Sequence, residues 1–481
     1  MDQYPPGDIM LTLLLAALYI FSLLTAGHAL LNKRDPRASA GWIITCLAIP
    51  GIGAILYWLL GINRIRSKSR KRQEQGQGMH WLHVNQPPRS QDIANFPTSN
   101  TSQSLIKFSD AVTRRPLSFG NKITVLYNGE QTYPAMLEAI DTAQESIFLS
   151  SYILMPDQIG LQFTRKLIAA ADRGVDVRVL IDGFGELYSL RKVRRIFRGT
   201  KVKATNFLPF TLLGSLYFNL RNHRKLLIID NKYGFTGGMN IRDRHMAMDK
   251  SNPRRVVDIH FRFEGPICGQ LRDAFMEDWH YATKETRAPR DWPTPPIAGK
   301  ACCRGISAGP NERHETLNWI LVGALSCAKS HIRIMTPYFI PTRAQLTAIN
   351  TASLRGVRVD ILLPQQNNLP YVAWASNALL FELLEYNTHI YFQPPPFIHS
   401  KLLLIDDEYA LVGSANMDPR SLRLNFEFNV EVFDTETVDE LIHHFDHSRE
   451  QAREISMEEM DKRSLPLRLR DSFCRLFSPY L

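Results

Sequence analysis

Cysteine is scarce in this chain: six stand in 481 residues, at Cys46, Cys268, Cys302, Cys303, Cys327 and Cys474, and no two form Cys-x-x-Cys. That spacing argues against a zinc site, and so few thiols in so long a chain argue against a disulfide framework. They read as buried, reduced thiols of a globular part in the cytoplasm. No carboxylate cluster suited to holding Mg²⁺ is present, so no metal and no cofactor is expected. Acidic residues are the minority, 47 Asp+Glu against 57 Lys+Arg, a formal excess of ten positive charges. The excess points to an anionic partner, either nucleic acid or a membrane surface, and charge alone does not separate the two.

Lys and Arg are also missing from the first eight residues, which hold Asp2 and Asp8. The apolar run that follows, Ile9 to Leu31, carries no formal charge and exceeds a signal-peptide core of about 7–15 residues. A retained membrane anchor is therefore expected over a cleaved leader. At about 1.5 Å per residue this run can cross a hydrocarbon core of roughly 30 Å. A second uncharged run, Ala38 to Ile62, has Trp42, Tyr57 and Trp58 near its ends, as interfacial aromatics do. Pro50-Gly51 is expected to kink it, which leaves a re-entrant shape open. His28 reads as a packing or interfacial residue.

The segment after the second run, "NRIRSKSRKR", holds six basic residues between Arg64 and Arg72. Such clusters stay on the cytoplasmic side, so a helical hairpin would leave the amino terminus and the large remainder there. The same cluster suits anionic headgroups.

Residues 1–62 are thus expected to form a membrane anchor with two transmembrane segments, and 63–118, rich in Gln, Ser, Asn and Pro, a polar linker. From there strand-like and helix-like segments alternate, as in an α/β fold. "SIFLSSYIL" (Ser146 to Leu154) reads as a strand, Ile159 to Gly174 as a helix, and Val175 to Asp182 as a strand. The pattern then recurs. "HIRIMTPYFI" (His331 to Ile340) answers the first strand, Tyr338 answers Tyr152, and "RGVRVDILLP" answers "RGVDVRVLID". Internal duplication yields two repeats, 119–300 and 301–481, with a proline-rich junction near their border. Asn206 to Asn222 is apolar and edged by basic residues, and in Leu465 to Leu481 basic residues interleave with Leu, Phe and Tyr. Each is either a buried element or a segment meeting a bilayer.

The duplication carries chemistry. "HRKLLIIDNKYGFTGGMN" (His223 to Asn240) and "HSKLLLIDDEYALVGSAN" (His399 to Asn416) share His, Lys, Asp, Gly and Asn at identical spacing. His and Lys at i and i+2 on a strand project from one face, and the aspartates, Asp230 and Asp406, are directed away from it. Burying a histidine and a lysine at the end of an apolar strand is costly unless something pairs with them. A phosphate would pair with both. Lys225, Lys401, Asn240 and Asn416 supply donors for its oxygens, and Ser414 a hydroxyl. Two histidines then suggest two steps, one attacking phosphorus to give a phosphohistidine and the other working as general acid and base.

The repeated His-x-Lys-x4-Asp-x6-Gly-x-x-Asn resembles the phospholipase D superfamily. With two apolar segments ahead of two such repeats, and with "TPYFIP", "NFE", "EGP" and "FSPYL", the chain looks like the bacterial cardiolipin synthases of that superfamily. The resemblance covers nearly the whole sequence. It implies two α/β repeats, each a mixed sheet flanked by helices, and a catalytic set of His223, Lys225, Asp230, His399, Lys401 and Asp406. It also implies transfer of a phosphatidyl group from one phosphatidylglycerol to another, with release of glycerol. His223 would be the nucleophile and His399 the general acid and base, with Asp258 and Glu427 orienting the opposite histidines. The partners implied are phosphatidylglycerol and anionic membrane lipids, not nucleic acid, at a bacterial inner membrane crossed more than once, with the catalytic repeats cytoplasmic. One departure stands out: the first copy has Gly237-Gly238 where the second has Gly413-Ser414, and the Gly238 N–H is expected to substitute for the hydroxyl. A hydrolytic phospholipase D or a nucleic-acid phosphodiesterase would use the same residues. The apolar segments weigh against the latter.

Overall fold

The computed structural model of the chain describes residues 6–33, 36–61, 99–113, 115–209, 220–285, 292–310 and 315–478. They fall into two compact units, residues 6–61 and the residues from 99 onward.

In the first unit the leading apolar run forms one helix, Pro6–Asn32, and Met10–Asn32 is long and apolar enough to cross a bilayer. The second run is not one helix. It breaks into Pro36–Ala48 and Ile52–Leu56, the latter running into a π-helical turn, Tyr57–Gly61. Pro50 has no N–H to continue the first piece, and Gly51 turns the chain at φ +80°. Ser22 Oγ on the long helix accepts the Gly51 N–H at 2.8 Å. Neither piece alone reaches the length of about 20 residues that a helical crossing needs. His28 packs here as expected, its Nδ1 2.8 Å from the Tyr57 hydroxyl, with its ring 4.9 Å from that of Trp58.

Among the described residues the second unit is built on eighteen strands. The first repeat supplies β1 (Ser118–Tyr127), β2 (Ser146–Ser151), β3 (Asp176–Asp182), β4 (Lys203–Phe207), β5 (Arg221–Asn222), β6 (Leu226–Ile229), β7 (Tyr233–Gly237), β8 (Val256–Val257) and β9 (Ile259–Glu264). The second supplies β10 (Ala301–Ala308), β11 (His331–Met335), β12 (Arg358–Pro364), β13 (His389–Gln393), β14 (Phe397–Ile398), β15 (Leu402–Ile405), β16 (Tyr409–Gly413), β17 (Asn425–Phe433) and β18 (Arg453–Glu454). Among the described residues one sheet runs β18-β13-β12-β11-β15-β16-β17-β10-β1-β9-β7-β6-β2-β3-β4. The order reads the same outward from the antiparallel β1–β10 seam, apart from the extra edge strand β18. Parallel β2, β3 and β4 beside antiparallel β6, β7 and β9 make each half mixed.

The two-fold repeat shows in how the sheet is covered. Strand β6 buries Leu226 and Ile228 on one face and Leu227 and Ile229 on the other, as period-2 alternation requires. Leu227 and Ile229 pack under the helices Asn128–Thr142 and Gln158–Asp172. Leu403 and Ile405 of β15 pack likewise in a core with Thr316–Cys327, Arg343–Leu354 and Pro370–Leu384. The opposite faces of both halves share one core with helices Ile267–Thr283 and Thr435–Glu450, which joins the repeats into one body.

Strand β1 starts at Ser118 and β10 at Ala301. The end of the expected polar linker, 63–118, is structured. Asn100–Thr113 is a helix, and Leu105 and Ile106 sit in the core of the second repeat. Ser, Thr and Asn dilute its apolar face, so that its few apolar residues gain significance only from what they pack against. Most of Asn206 to Asn222, and the basic cluster after Ile62, lie outside the described residues.

Candidate active site

Both His-Lys pairs lie in extended chain just before strands β6 and β15, not inside the ladder as the alternation argument had it. They are positioned by strands that cross between repeats. Short β5 runs parallel to the start of β17, and short β14 runs parallel to β8. The backbone then continues the exchange: His223 N–H donates to Phe426 O at 2.9 Å, and His399 N–H to Val257 O at 2.8 Å. Each histidine is thus docked on the other repeat, one residue before that repeat's carboxylate.

Those carboxylates complete the exchange. His223 Nδ1 lies 3.0 Å from both oxygens of Glu427, and His399 Nδ1 lies 2.8 Å from Asp258 Oδ2. An ionised carboxylate can only accept, so Nδ1 carries the proton on both rings and each Nε2 keeps a lone pair. Both carboxylates stay ionised although both are fully buried. Burial pushes Glu427 upward, but the His223 and Lys225 charges and the Ser414 hydroxyl pull it below its usual range. For Asp258, burial is outweighed by His399 and Lys401. The histidines shift the other way: burial holds His223 below the ordinary imidazole value, and burial with the Lys401 charge holds His399 at about 4.

The lysines close the site. Lys225 Nζ donates to His223 O at 2.6 Å, and Lys401 Nζ to His399 O. Lys401 Nζ also lies 3.0 Å from His399 Nδ1. With that nitrogen's hydrogen on Asp258, this contact is electrostatic. Burial lowers Lys225 to about 7 and Lys401 to about 8, Glu427 resisting in both. Each lysine also acts on the histidine of the opposite repeat, so the four groups form one field. Aromatic rings wall it: Tyr152 stands 5.2 Å from His223 and Tyr338 6.4 Å from His399.

Strand alternation directs Asp230 and Asp406 away from the His/Lys face, and they are not brought to the histidines, although the resemblance implies them in the catalytic set. Each sits at positive φ in the turn after its apolar strand. Asp230 accepts the backbone N–H groups of Gln144, Glu145 and Ser146, each at 2.8 Å. Asp406 accepts those of Lys329, Ser330 and His331. They clamp that turn to the start of the neighbouring strand, β2 or β11. Ser414 is no free hydroxyl either: its Oγ donates to Glu427 Oε2 at 2.6 Å and accepts the Phe428 N–H at 3.0 Å. The Gly238 N–H donates to Ile259 O at 3.3 Å, so it does not replace that hydroxyl. Gly238 is needed for space, since a Cβ there would meet Asp258 Oδ1 at 2.3 Å. The longer Glu427 takes a serine beneath it, and the shorter Asp258 a glycine.

Asn240 and Asn416 lie buried at the ends of the turns after β7 and β16. Asn240 Oδ1 accepts the Ile153 N–H at 3.1 Å, which leaves its NH₂ as a donor. Asn416 Oδ1 has no partner among the described residues. Sequence reasoning passed over several residues. Ser421 Oγ donates to Glu427 at 3.0 Å and accepts the Asn416 N–H at 3.1 Å. Its counterpart by the 176-residue offset, His245, accepts the Asn240 N–H at 3.3 Å and stands 6.2 Å from the His399 ring. That offset was the available signal. Arg224, between His223 and Lys225, turns away to a buried pair with Asp278 at 2.9 Å.

A duplicated mixed sheet in which the histidine of each repeat pairs with a carboxylate of the other is the architecture of the phospholipase D class. Among solved structures, the phosphatidylserine synthase of Haemophilus influenzae Rd KW20 shares this fold, with a TM-score of 0.61 and 14% identity over 80% of this chain and all of that one. The family model described as "Cardiolipin synthase, PLD-like domain" matches residues 136–279 and 321–449, and the one described as "Phospholipase_D-nuclease N-terminal" matches 14–61. A cardiolipin synthase of Geobacillus kaustophilus is 31% identical over 94% of this chain and 90% of its own length. Cardiolipin synthase 2 of Staphylococcus epidermidis is 31% identical over 99% of both. The chain belongs to the cardiolipin synthase family, which makes it a phosphatidyltransferase and a membrane protein.

Proposed function

We propose that this enzyme takes a phosphatidyl group from one phosphatidylglycerol, carries it on His223, and delivers it to the glycerol of a second phosphatidylglycerol. The observation behind this reading is the crossed pairing of His223 with Glu427 and His399 with Asp258. In the first step His223 Nε2 attacks phosphorus, an N–P bond forms, and the P–O bond to glycerol breaks. A proton on His399 Nε2 goes to the departing oxygen. In the second step His399 Nε2 takes the proton of the acceptor hydroxyl, that oxygen bonds to phosphorus, and His223 leaves. Lys225, Lys401 and the side-chain amides of Asn240 and Asn416 hold the phosphate oxygens, which carry the growing charge. Asp258 and Glu427 orient the imidazoles, and Asp230 and Asp406 hold the turns that aim the strands.

His399 is neutral in the empty site, held at about 4 by burial and Lys401. An arriving phosphodiester anion would raise it and so ready the acid. The long amino-terminal helix anchors the enzyme in the bacterial inner membrane, and the basic residues from Arg64 to Arg72 keep the catalytic repeats on the cytoplasmic side. Whether the second apolar run adds a crossing or turns back is read by labelling cysteines placed on either side of Pro50.

The test is the purified full-length protein in vesicles of glycerol-labelled phosphatidylglycerol. One free glycerol should appear for each cardiolipin formed. Phosphatidic acid in place of cardiolipin would make the enzyme a hydrolase and overturn the reading.

A further inference from the structure

The helix Leu465–Arg475 is built inside out for a protein in water. Leu465, Leu469, Phe473 and Leu476 follow at intervals of four, four and three, a single stripe. They are 67%, 61%, 61% and 73% exposed. The side turned to the protein is the polar one. Asp471 is buried there, salt-bridged to Arg470 at 2.8 Å and to Arg463. Cys474 packs partly into the core of the second repeat. Arg470 stacks on Trp374 at 4.4 Å and Arg475 donates to Ala378 O at 3.3 Å, both on the helix Pro370–Leu384. A stripe of four large apolar groups held outward by a buried ion pair needs something apolar against it.

Charge narrows what that is. Arg468 and Arg475 flank the stripe and are exposed, which fits an anionic, planar partner better than an acid-poor protein groove. The neighbouring helix extends the surface, with Tyr371 and Phe381 each 45% exposed. That helix begins two residues after Asn368, whose Oδ1 accepts the Tyr338 hydroxyl at 2.8 Å, and Tyr338 packs near His399. The outward stripe is thus fixed to the element that borders the site.

We infer that Leu465–Arg475 lies in the headgroup–acyl boundary of an anionic bilayer, as a second membrane contact independent of the amino-terminal helix, and holds the site against the lipid surface. This goes beyond the transfer reaction and stands whether the enzyme transfers or hydrolyses.

Two measurements on the full chain in vesicles test it. A fluorophore on Leu469→Cys should shift to the blue in phosphatidylglycerol–phosphatidylcholine vesicles and be quenched about twofold or more by lipids brominated on their acyl chains. One on Glu458→Cys, in the exposed helix just before it, should not. Separately, Leu469→Asp with Phe473→Asp should cut turnover about tenfold on vesicles yet leave it unchanged on detergent-dispersed lipid. Equal quenching at both positions overturns the inference. So does a Leu469→Cys signal that depends on protein density, not on brominated lipid, which would mean that a second copy covers the stripe. Loss of turnover in detergent as well would show a folding defect, leaving the quenching result to decide.

Discussion

Glu427, from the second repeat, takes the Nδ1 hydrogen of His223, from the first, with both carboxylate oxygens at 3.0 Å. Ser414, Ser421 and Asn425 also donate to it. A carboxylate with four partners has no freedom to move, and neither does the ring it holds. Glu427→Gln should leave the fold intact and lower kcat by about 10²–10⁴-fold, because an amide NH₂ facing Nδ1 favours the wrong tautomer. Single-turnover rates with the circular dichroism spectrum as control measure this. A change within threefold would mean that the contact is only packing.

The roles of the two histidines separate in a trapping experiment. His223→Ala and His399→Ala should each abolish turnover of phosphatidylglycerol. With a nitrophenyl phosphatidyl donor, whose leaving group needs little acid help, the His399→Ala enzyme should load a phosphatidyl group onto His223 and stall. The adduct should be labile to acid, stable to alkali, and map to the peptide holding Asn222 to Leu227. Label on the His399 peptide of the His223→Ala enzyme instead would exchange the two roles.

The lysines make phosphate binding depend on pH. Burial lowers Lys225 to about 7 and Lys401 to about 8 in the empty site, and a bound anion raises both. Well below pH 7 both lysines are charged with or without the anion, so they add no pH dependence there. Above it the empty site has lost lysine protons that the occupied site keeps, and affinity falls. At pH 8 binding of a phosphate analogue should therefore take up protons. Calorimetry in two buffers of different ionisation heat reads that uptake, and replacing Lys225 and Lys401 by Met should reduce it at pH 8 but not at pH 6, where His399 alone gains a proton.

Gly238→Ser would give the first copy the residue of the second. It should nonetheless impair the enzyme, because the new Cβ would stand 2.3 Å from Asp258 Oδ1. Displacing Asp258 frees the His399 ring, so kcat should fall about as far as in Asp258→Asn, some 10²-fold or more. Ser414→Gly, which removes one donor from Glu427, should cost less. Parallel kcat measurements on the three variants check the order.

Much was legible in the residues alone. The 176-residue offset between His223 and His399 carried the duplication. Uninterrupted runs such as Leu226–Ile229 marked strands covered on both faces, because only such strands are apolar at every position. The apolar length of Ile9 to Leu31 marked a membrane-crossing helix, and Met10–Asn32 is long and apolar enough to cross a bilayer. These are local properties: periodicity, run length and spacing are complete within a few neighbours. What tertiary structure decided were matters of partnership. The exchange of β5 and β14 between repeats is set by pairings 204 and 141 residues apart, and it puts each histidine on the other half's carboxylate. Ser414 looked like a phosphate donor until Glu427 and Phe428 were seen to use its oxygen. Asn100–Thr113 looked like linker until Leu105 and Ile106 had a core to enter. A side chain's type states what it can bond to, and only the folded chain brings one of the possible partners within reach.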